Sequence, residues 1–224
     1  MSTLKETIAA SSWANGLTPE QRRRVETETF SRPVPKGSFI CRKGEPVEFW
    51  LGLVDGLGKM TNTAASGKVT TFTGVTSGSW FGEGSLLKVE PRRYDAVALR
   101  DCELAYMPRA TFMWLLDNSI EFNRFLLLQL NERLGQFIGM VEYDRLLGPD
   151  GRVAHCLASL YNPTLSPGIQ ALLKISQEEV AQLSGLSRQR ANQSLKLLEE
   201  ATLLQVGYGG ITILNLEGLR HFEE

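Results

Sequence analysis

In the stretch GLSRQRANQ, Gly185 to Gln193, the residues Arg188, Gln189, Arg190, Asn192 and Gln193 crowd the first two turns of one helix, with only Ala191 between them. An exposed helix face that merely meets water carries Glu and Lys, as Glu199 and Glu200 do a little further on. Guanidinium and carboxamide groups instead suit a partner with hydrogen-bonding edges. An Arg fork spans guanine O6 and N7, and a Gln or Asn amide spans adenine N6 and N7.

The neighbouring sequence predicts how such side chains are held. Ser176 followed by Glu179 forms a capping box that starts a helix; this helix runs to about Ser184, where Gly185 supplies the left-handed backbone of a tight turn. Ser187 caps a second helix. Ala181 and Ala191 are small where the two helices cross, as a helix-turn-helix requires. On the second helix Ala191, Leu195 and Leu198 share an inner face, while Gln189, Gln193 and Lys196 lie opposite with Arg188 and Asn192 beside them. Leu203–Val206 and Ile211–Leu214 are expected strands, joined through Gly207-Tyr208-Gly209-Gly210, so a glycine-rich hairpin follows the second helix. Its backbone amides are suited to phosphates.

Upstream the texture differs. From about Arg32 to Met107, short β-branched and apolar runs alternate with glycine turns such as Asp55-Gly56 and Ser66-Gly67, which predicts an antiparallel sandwich or barrel. Thr18-Pro19-Glu20 opens a short helix to about Thr29. Beyond Pro108 helical periodicity takes over. Leu127, Leu130, Leu134, Phe137 and Val141 fall at alternating spacings of three and four, a seam suited to a second copy of the chain. Phe122, Phe125 and Leu126 offer a separate flank for the chain's own β-domain. Gly148-Pro149-Asp150-Gly151 predicts a hinge or tight turn, followed by a helix over Arg152–Tyr161 and a loop over Asn162–Gly168.

Composition bounds the partners. Lys and Arg number 24 against 25 for Asp and Glu, so any contact with nucleic acid must come from one local face. The start of the chain lacks a secretory pattern, and no apolar run approaches the roughly 20 residues that span a bilayer. A cytoplasmic location without membrane contact is expected. Cys41, Cys102 and Cys156 stand singly, outside any ligand spacing, so no metal site is expected and each is read as a small buried hydrophobe.

A glycine-punctuated β-domain, a long heptad helix, Gly151-Arg152-Val153-Ala154 after a turn, and a winged helix-turn-helix together resemble the Crp–Fnr family of bacterial transcription regulators. The resemblance rests on Gly37, Gly44-Glu45, Val54-Asp55-Gly56, Phe81-Gly82-Glu83-Gly84-Ser85-Leu86-Leu87 and Leu186-Ser187-Arg188-Gln189-Arg190, and spans nearly the whole chain. It implies an α+β chain in three parts. These are a double-stranded β-helix of the cyclic-nucleotide-binding-like jelly-roll type over 1–117, a long dimerisation helix over 118–147, and a winged helix-turn-helix DNA-binding domain over 148–224. It implies a homodimeric, effector-controlled, sequence-specific DNA-binding regulator rather than an enzyme, with double-stranded DNA, a second copy and RNA polymerase as partners. Ser187, Arg188, Gln189, Arg190, Asn192, Gln193 and Lys196 form the expected DNA-binding set.

The resemblance also implies an effector pocket around Gly82, Glu83, Ser85 and Arg92, with Arg93 as a rival for the phosphate Arg and with Phe137 and Ile138 from the long helix. A cyclic phosphate calls for convergent amides and a guanidinium fork. Yet Arg93-Tyr94-Asp95 follow Arg92 where the family pattern has a small hydroxyl residue and then Ala, so Tyr94 can fill the pocket and Asp95 adds charge unfavourable to a phosphate. Phe137 and Ile138 occupy places where cyclic-AMP receptors bond the adenine, and apolar side chains cannot replace those bonds. The expected effector is therefore a small molecule other than cyclic AMP, or none, with no cofactor assigned. Gln189 also departs from the usual carboxylate, which changes the expected base at that position. Sensing through an iron–sulfur cluster lacks grouped cysteines. Sensing through haem lacks a ligand in the sensor, since His155 and His221 lie in the DNA-binding region. The alternatives are a cyclic-nucleotide-binding module without DNA activity and a cupin-type enzyme; the second needs clustered His ligands, which 1–154 does not contain.

Overall fold

The computed structural model describes residues 3–67, 69–167 and 171–223. Lys68 and Gly168, which belong to a predicted strand and loop, lie outside them. Two short helices lead the chain: α1 (Leu4–Ala10), closed by a Thr3–Glu6 capping box, and α2 (Pro19–Glu28), closed by a Thr18–Gln21 box with Pro19 in its first turn. Eight strands follow: β1 (Phe30–Val34), β2 (Phe39–Cys41), β3 (Phe49–Asp55), β4 (Leu57–Thr63), β5 (Val69–Thr76), β6 (Trp80–Phe81), β7 (Asp95–Ala98) and β8 (Cys102–Pro108), with helix α3 (Glu83–Lys88) between β6 and β7. They form two antiparallel sheets, ordered β1-β8-β3-β6 and β2-β7-β4-β5. This interleaving is the jelly roll that the family resemblance implies, one form of the antiparallel sandwich or barrel expected from the glycine-broken apolar runs.

Inward-facing Ile40, Leu51, Leu53, Met60, Val75, Phe81, Ala96 and Ala98 fill the roll. Outside it, Trp13, Trp50 and Trp80 pack with Phe112 and Phe122 in a second buried cluster, and Trp80 Nε1 donates to Ser11 Oγ at 2.9 Å. Phe112 lies on α4 (Arg109–Asn118) and Phe122 on α5 (Ile120–Leu146), so the root of the long helix is locked into the sensor wall. Ser119 caps α5 by accepting from Phe122 N at 3.2 Å.

Helix α6 (Pro149–Ser159) begins three residues earlier than Arg152 and ends at Ser159 rather than Tyr161. The hinge expected over Gly148–Gly151 is thereby corrected. Pro149 takes the first helical position, where its missing N–H is no loss, and Asp150 suits the positive end of the helix. The break between α5 and α6 shrinks to Leu147 and Gly148.

Strand β9 (Leu172–Leu173) precedes α7 (Gln177–Ser184) and α8 (Arg188–Glu200); strands β10 (Leu204–Gly207) and β11 (Gly210–Ile213) and helix α9 (Leu216–Arg220) complete the described fold. β11 pairs with both β10 and β9. The capping box at Ser176 and Glu179 is present, and Gly185 holds φ +66° between α7 and α8. Each strand of the wing is offset by one residue from its predicted span. Gly207 pairs with Gly210 across the Tyr208-Gly209 tip, a two-residue connection of the tight-hairpin kind. Strand β9 is too short for periodicity to have marked it. The C-terminal core of Val153, Leu157, Val180, Leu195 and Leu198 also includes Leu57 and Leu99 from the roll, so the two domains share one packed surface.

Candidate functional site

Two surfaces gather the candidate residues. The first lies inside the roll, where β6, α3, β7 and α5 converge. Gly82 caps α3 at φ +91°, a left-handed conformation natural to glycine, and a Cβ there would overlap Nη1 of Arg92. Arg92 is buried at 5% exposure, with Nη2 donating to Phe49 O at 2.7 Å and Nη1 reaching Gly82 O at 3.5 Å. Its rival, Arg93, points outward and bonds Glu90 at 2.6 and 2.8 Å. Ser85 is buried, with its hydroxyl near Pro91 O at 3.5 Å.

Glu83 is buried at 2% exposure, and its Oε1 accepts from Arg133 Nε at 2.7 Å. Arg133 also donates through Nη2 to Trp80 O at 2.7 Å, an oxygen that Gln129 Nε2 reaches at 3.3 Å. Burial alone would raise the Glu83 carboxyl, yet the Arg133 guanidinium, aided by amide donors, holds it below the usual carboxylate range. Sequence reasoning missed Gln129 and Arg133. Their signal was present: Phe122, Leu126, Gln129, Arg133 and Gln136 recur at helical spacing on one face. That face is polar where it meets the roll, and an apolar template passes over it.

The placement of α5 follows from this face. Phe122, Leu126 and Gln129 are buried, and Gln136 Nε2 donates to Thr73 Oγ1 at 3.1 Å. On the other side Leu127, Leu134, Ile138 and Val141 are exposed. Leu130 is partly covered, and Phe137 turns towards the roll, its ring edge-on to Phe72. At 3.6 residues per turn, the exposed stripe is centred roughly 30° from the five-residue seam read in the sequence. Ile138 replaces Phe137 in it.

The second surface is the outer face of α7, α8 and the wing. Ser187 caps α8 by accepting from Arg190 N at 3.2 Å. Ala191, Leu195 and Leu198 are fully covered, whereas Arg188, Gln189, Gln193 and Lys196 are exposed. Two of the expected set are less open. Arg190 Nη2 bonds Asp150 Oδ2 at 2.7 Å and Nη1 donates to Ser194 Oγ at 3.1 Å, which ties α8 back to α6. The Arg190 hydrogen bond also keeps the Asp150 carboxyl below its ordinary range. Asn192 is half-buried, and its Oδ1 has no hydrogen-bond partner among the described residues. Beside α8 an open groove of about 540 Å³ runs between the start of α7 and the wing, with Lys174, Gln177, Arg188 and Tyr208 on its walls. Lys174 and Tyr208 are exposed and were not singled out in the sequence. Only their position beside α8 distinguishes them from other surface residues.

Comparison with known proteins agrees with this division. Residues 31–119 match the cyclic nucleotide-binding domain family and residues 151–222 the Crp-like helix-turn-helix domain family. The cyclic AMP receptor protein of Thermus thermophilus is 28% identical over 201 residues, spanning 89% of this chain and 90% of the relative. The CRP-like cAMP-activated global transcriptional regulator of Mycobacterium tuberculosis is 25% identical over 196 residues, spanning 86% and 87%. Among solved structures, the Thermus thermophilus catabolite activator protein superposes with a TM-score of 0.52 at 26% identity, covering 93% of this chain and 98% of that one. FixK2 from Bradyrhizobium japonicum shares the fold, with a TM-score of 0.68 at 17% identity over 88% and 98%.

A jelly-roll sensor joined through one long helix to a winged reading head is the build of a DNA-binding transcription regulator. The chain belongs to the Crp–Fnr family of such regulators, whose members bind DNA and act as dimers. Among the described residues, no helix is long and apolar enough to cross a membrane.

Proposed function

We propose that this chain works as a homodimer joined along α5, with each copy presenting α8 to one half of a two-fold DNA site. The dimer contact runs through Leu127, Leu134, Ile138 and Val141, with Leu130 and Phe137 on its shoulder. Arg188, Gln189 and Gln193 address base edges, and Lys196, Lys174 and the amides of the wing meet phosphates. Ser187 caps the reading helix, Arg190 sets its angle against α6, and Asn192 lies at the margin of the reading face. In this reading the chain is a binding protein rather than a catalyst, and RNA polymerase is the partner it meets at a promoter.

The observation that carries the reading is the two-sidedness of α8, in which a fully covered Ala191–Leu195–Leu198 face backs an exposed Arg188–Gln189–Gln193 face beside a wing. Any surface helix divides so; what sets α8 apart is that its open face carries Arg and Gln where contact with water alone calls for Glu and Lys. Selection of binding sites from random duplexes tests it. The expected outcome is a palindrome with half-sites about one helical turn apart, differing from the usual family half-site at the base pair read by Gln189; unselective recovery refutes it.

The sensor domain acts on DNA binding through α5, because the helix that carries the dimer stripe also carries Gln129, Arg133 and Gln136 into the roll. A change at Glu83 or Arg133 therefore reaches the spacing of two reading helices. Cyclic AMP, named for several relatives, is not the signal in this proposal. Phe137 meets Phe72 and Ile138 is apolar and exposed, so neither offers the adenine a hydrogen bond.

A further inference from the structure

The wing ends in a wholly exposed aromatic side chain. Tyr208 is the first of the two tip residues between β10 and β11, and no residue of 204–213 carries a charge. A two-residue tip favours Asn, Asp and Gly, so the turn itself does not call for a large ring. A ring held in water also contributes little to the fold, because burial is what makes apolar surface stabilising. Glycines stand around it at Gly207, Gly209 and Gly210, and a Cβ on Gly209 would meet nothing within 4 Å. The tip is a narrow ridge of backbone bearing one ring.

That ridge is braced on both sides. Val206 N donates to Glu199 Oε1 at 2.9 Å, which ties β10 to the last turn of α8. On the other side β11 pairs with β9 through Ile211 and Leu173, and a Cβ on Gly210, at φ +145°, would collide with Leu173 O. Tyr208 therefore holds a set place relative to the reading helix, on the wall of the same open groove as Lys174 and Arg188.

With α8 in the major groove, a wing beside it lies over the neighbouring phosphate strand, and the next groove beyond is the minor one. A neutral ring has no charge to offer phosphates, but apolar side chains do enter the minor groove of a duplex. That groove is about 6 Å wide; A·T pairs show only acceptors on its floor, whereas G·C adds the guanine N2 amino group. A phenol hydroxyl can donate to adenine N3 or thymine O2, and the guanine amino group stands in its way. We propose that Tyr208 enters the minor groove beside each half-site and adds a preference for A·T pairs flanking the bases that α8 reads. The proposal deepens the regulator reading and rests on it. The bare amides around the tip meet the phosphates, and the ring passes beyond them.

The test is a binding titration of the full-length protein, wild type and Tyr208→Ala, on the operator it selects from random duplexes. The pairs flanking each half-site are set to A·T, G·C or inosine·C. Inosine·C keeps the major-groove face of G·C but lacks the amino group in the minor groove. Wild type should bind the A·T and inosine·C operators alike and the G·C operator about fivefold or more weakly. Tyr208→Ala removes an exposed side chain, so it should melt as wild type does, still select the same half-sites and bind all three operators alike. Equal wild-type binding to all three overturns the proposal, and so does a flank preference that Tyr208→Ala retains. An inosine·C operator bound as weakly as G·C places the readout in the major groove and overturns it too. In each of these cases an operator is still selected, and the regulator reading stands. A wild-type chain that selects no operator loses the regulator reading, and the role of Tyr208 falls with it.

Discussion

Arg100 of the sensor and Glu179 of α7 are joined by a forked contact across the domain boundary, with Nη2 to Oε2 at 2.6 Å and Nε to Oε1 at 2.9 Å. The same Glu179 carboxylate accepts from Ser176 N at 2.7 Å and so closes the first turn of α7. One acidic side chain therefore both starts the helix-turn-helix and holds it to the sensor. Thr71 Oγ1 adds a bond to Gln182 O at 3.0 Å from β5. Arg100→Met removes the clamp and leaves the cap. It should loosen the docking of the C-terminal domain, separate one calorimetric transition into two, and weaken operator binding severalfold. Glu179→Ala should do the same and also lower the melting temperature further, since losing a capping side chain costs about 0.5–2 kcal/mol.

Base contacts and phosphate contacts predict different signatures on α8 and its groove. Arg188→Ala or Gln189→Ala should each cost about 1–3 kcal/mol on the preferred operator and relax the choice at one base pair. Lys174→Ala should weaken all duplexes alike and reduce the salt slope by about 1. Fluorescence anisotropy over a series of operators and salt concentrations distinguishes the two.

Arg190 should behave unlike its neighbours. Because its guanidinium is engaged with Asp150 and Ser194, Arg190→Met should lower the melting temperature of the C-terminal domain while preserving which base is preferred at each operator position. A shift in base preference with unchanged stability would restore it to the reading set.

Much of the reading head was legible because its signals are local. Ser176 and Glu179, Gly185, Ser187 and the Ala191–Leu195–Leu198 stripe all lie within a few residues of the structure they specify. What escaped has its partner far along the chain. Arg190 meets Asp150 and Arg100 meets Glu179 only after folding, and nothing in the residues around Arg190 marks it as inward. The polar side of α5 escaped because the buried face of that helix is built partly from Gln129, Arg133 and Gln136, and apolar spacing alone does not locate a polar interface. At Gly148–Gly151 two glycines and a proline suggested a hinge, but a proline in the first turn opens a helix as readily as it ends one.

The Glu83–Arg133 pair sets an acid limit on the sensor. Since the folded-state carboxyl lies below its unfolded value, the pair contributes fully above the ordinary carboxylate range and is lost as pH falls through the depressed value. The pair's contribution, read as the difference in melting temperature between wild type and the double change Glu83→Leu with Arg133→Leu, should be flat from neutral pH to about 5 and decline below about 4. Arg133→Leu should cost about 3–5 kcal/mol by stranding a buried carboxylate, and the double change Glu83→Leu with Arg133→Leu should recover part of that loss.

The central claim is that two α8 helices, held at a fixed separation by α5, read a specific duplex. Selection from random DNA with the purified full-length chain, followed by sizing of the complex, measures this directly. The account predicts an enriched palindrome bound by two copies, with half-sites about one helical turn apart. Equal attraction to every duplex, governed by salt alone, or binding of a specific site by a single copy, would contradict it.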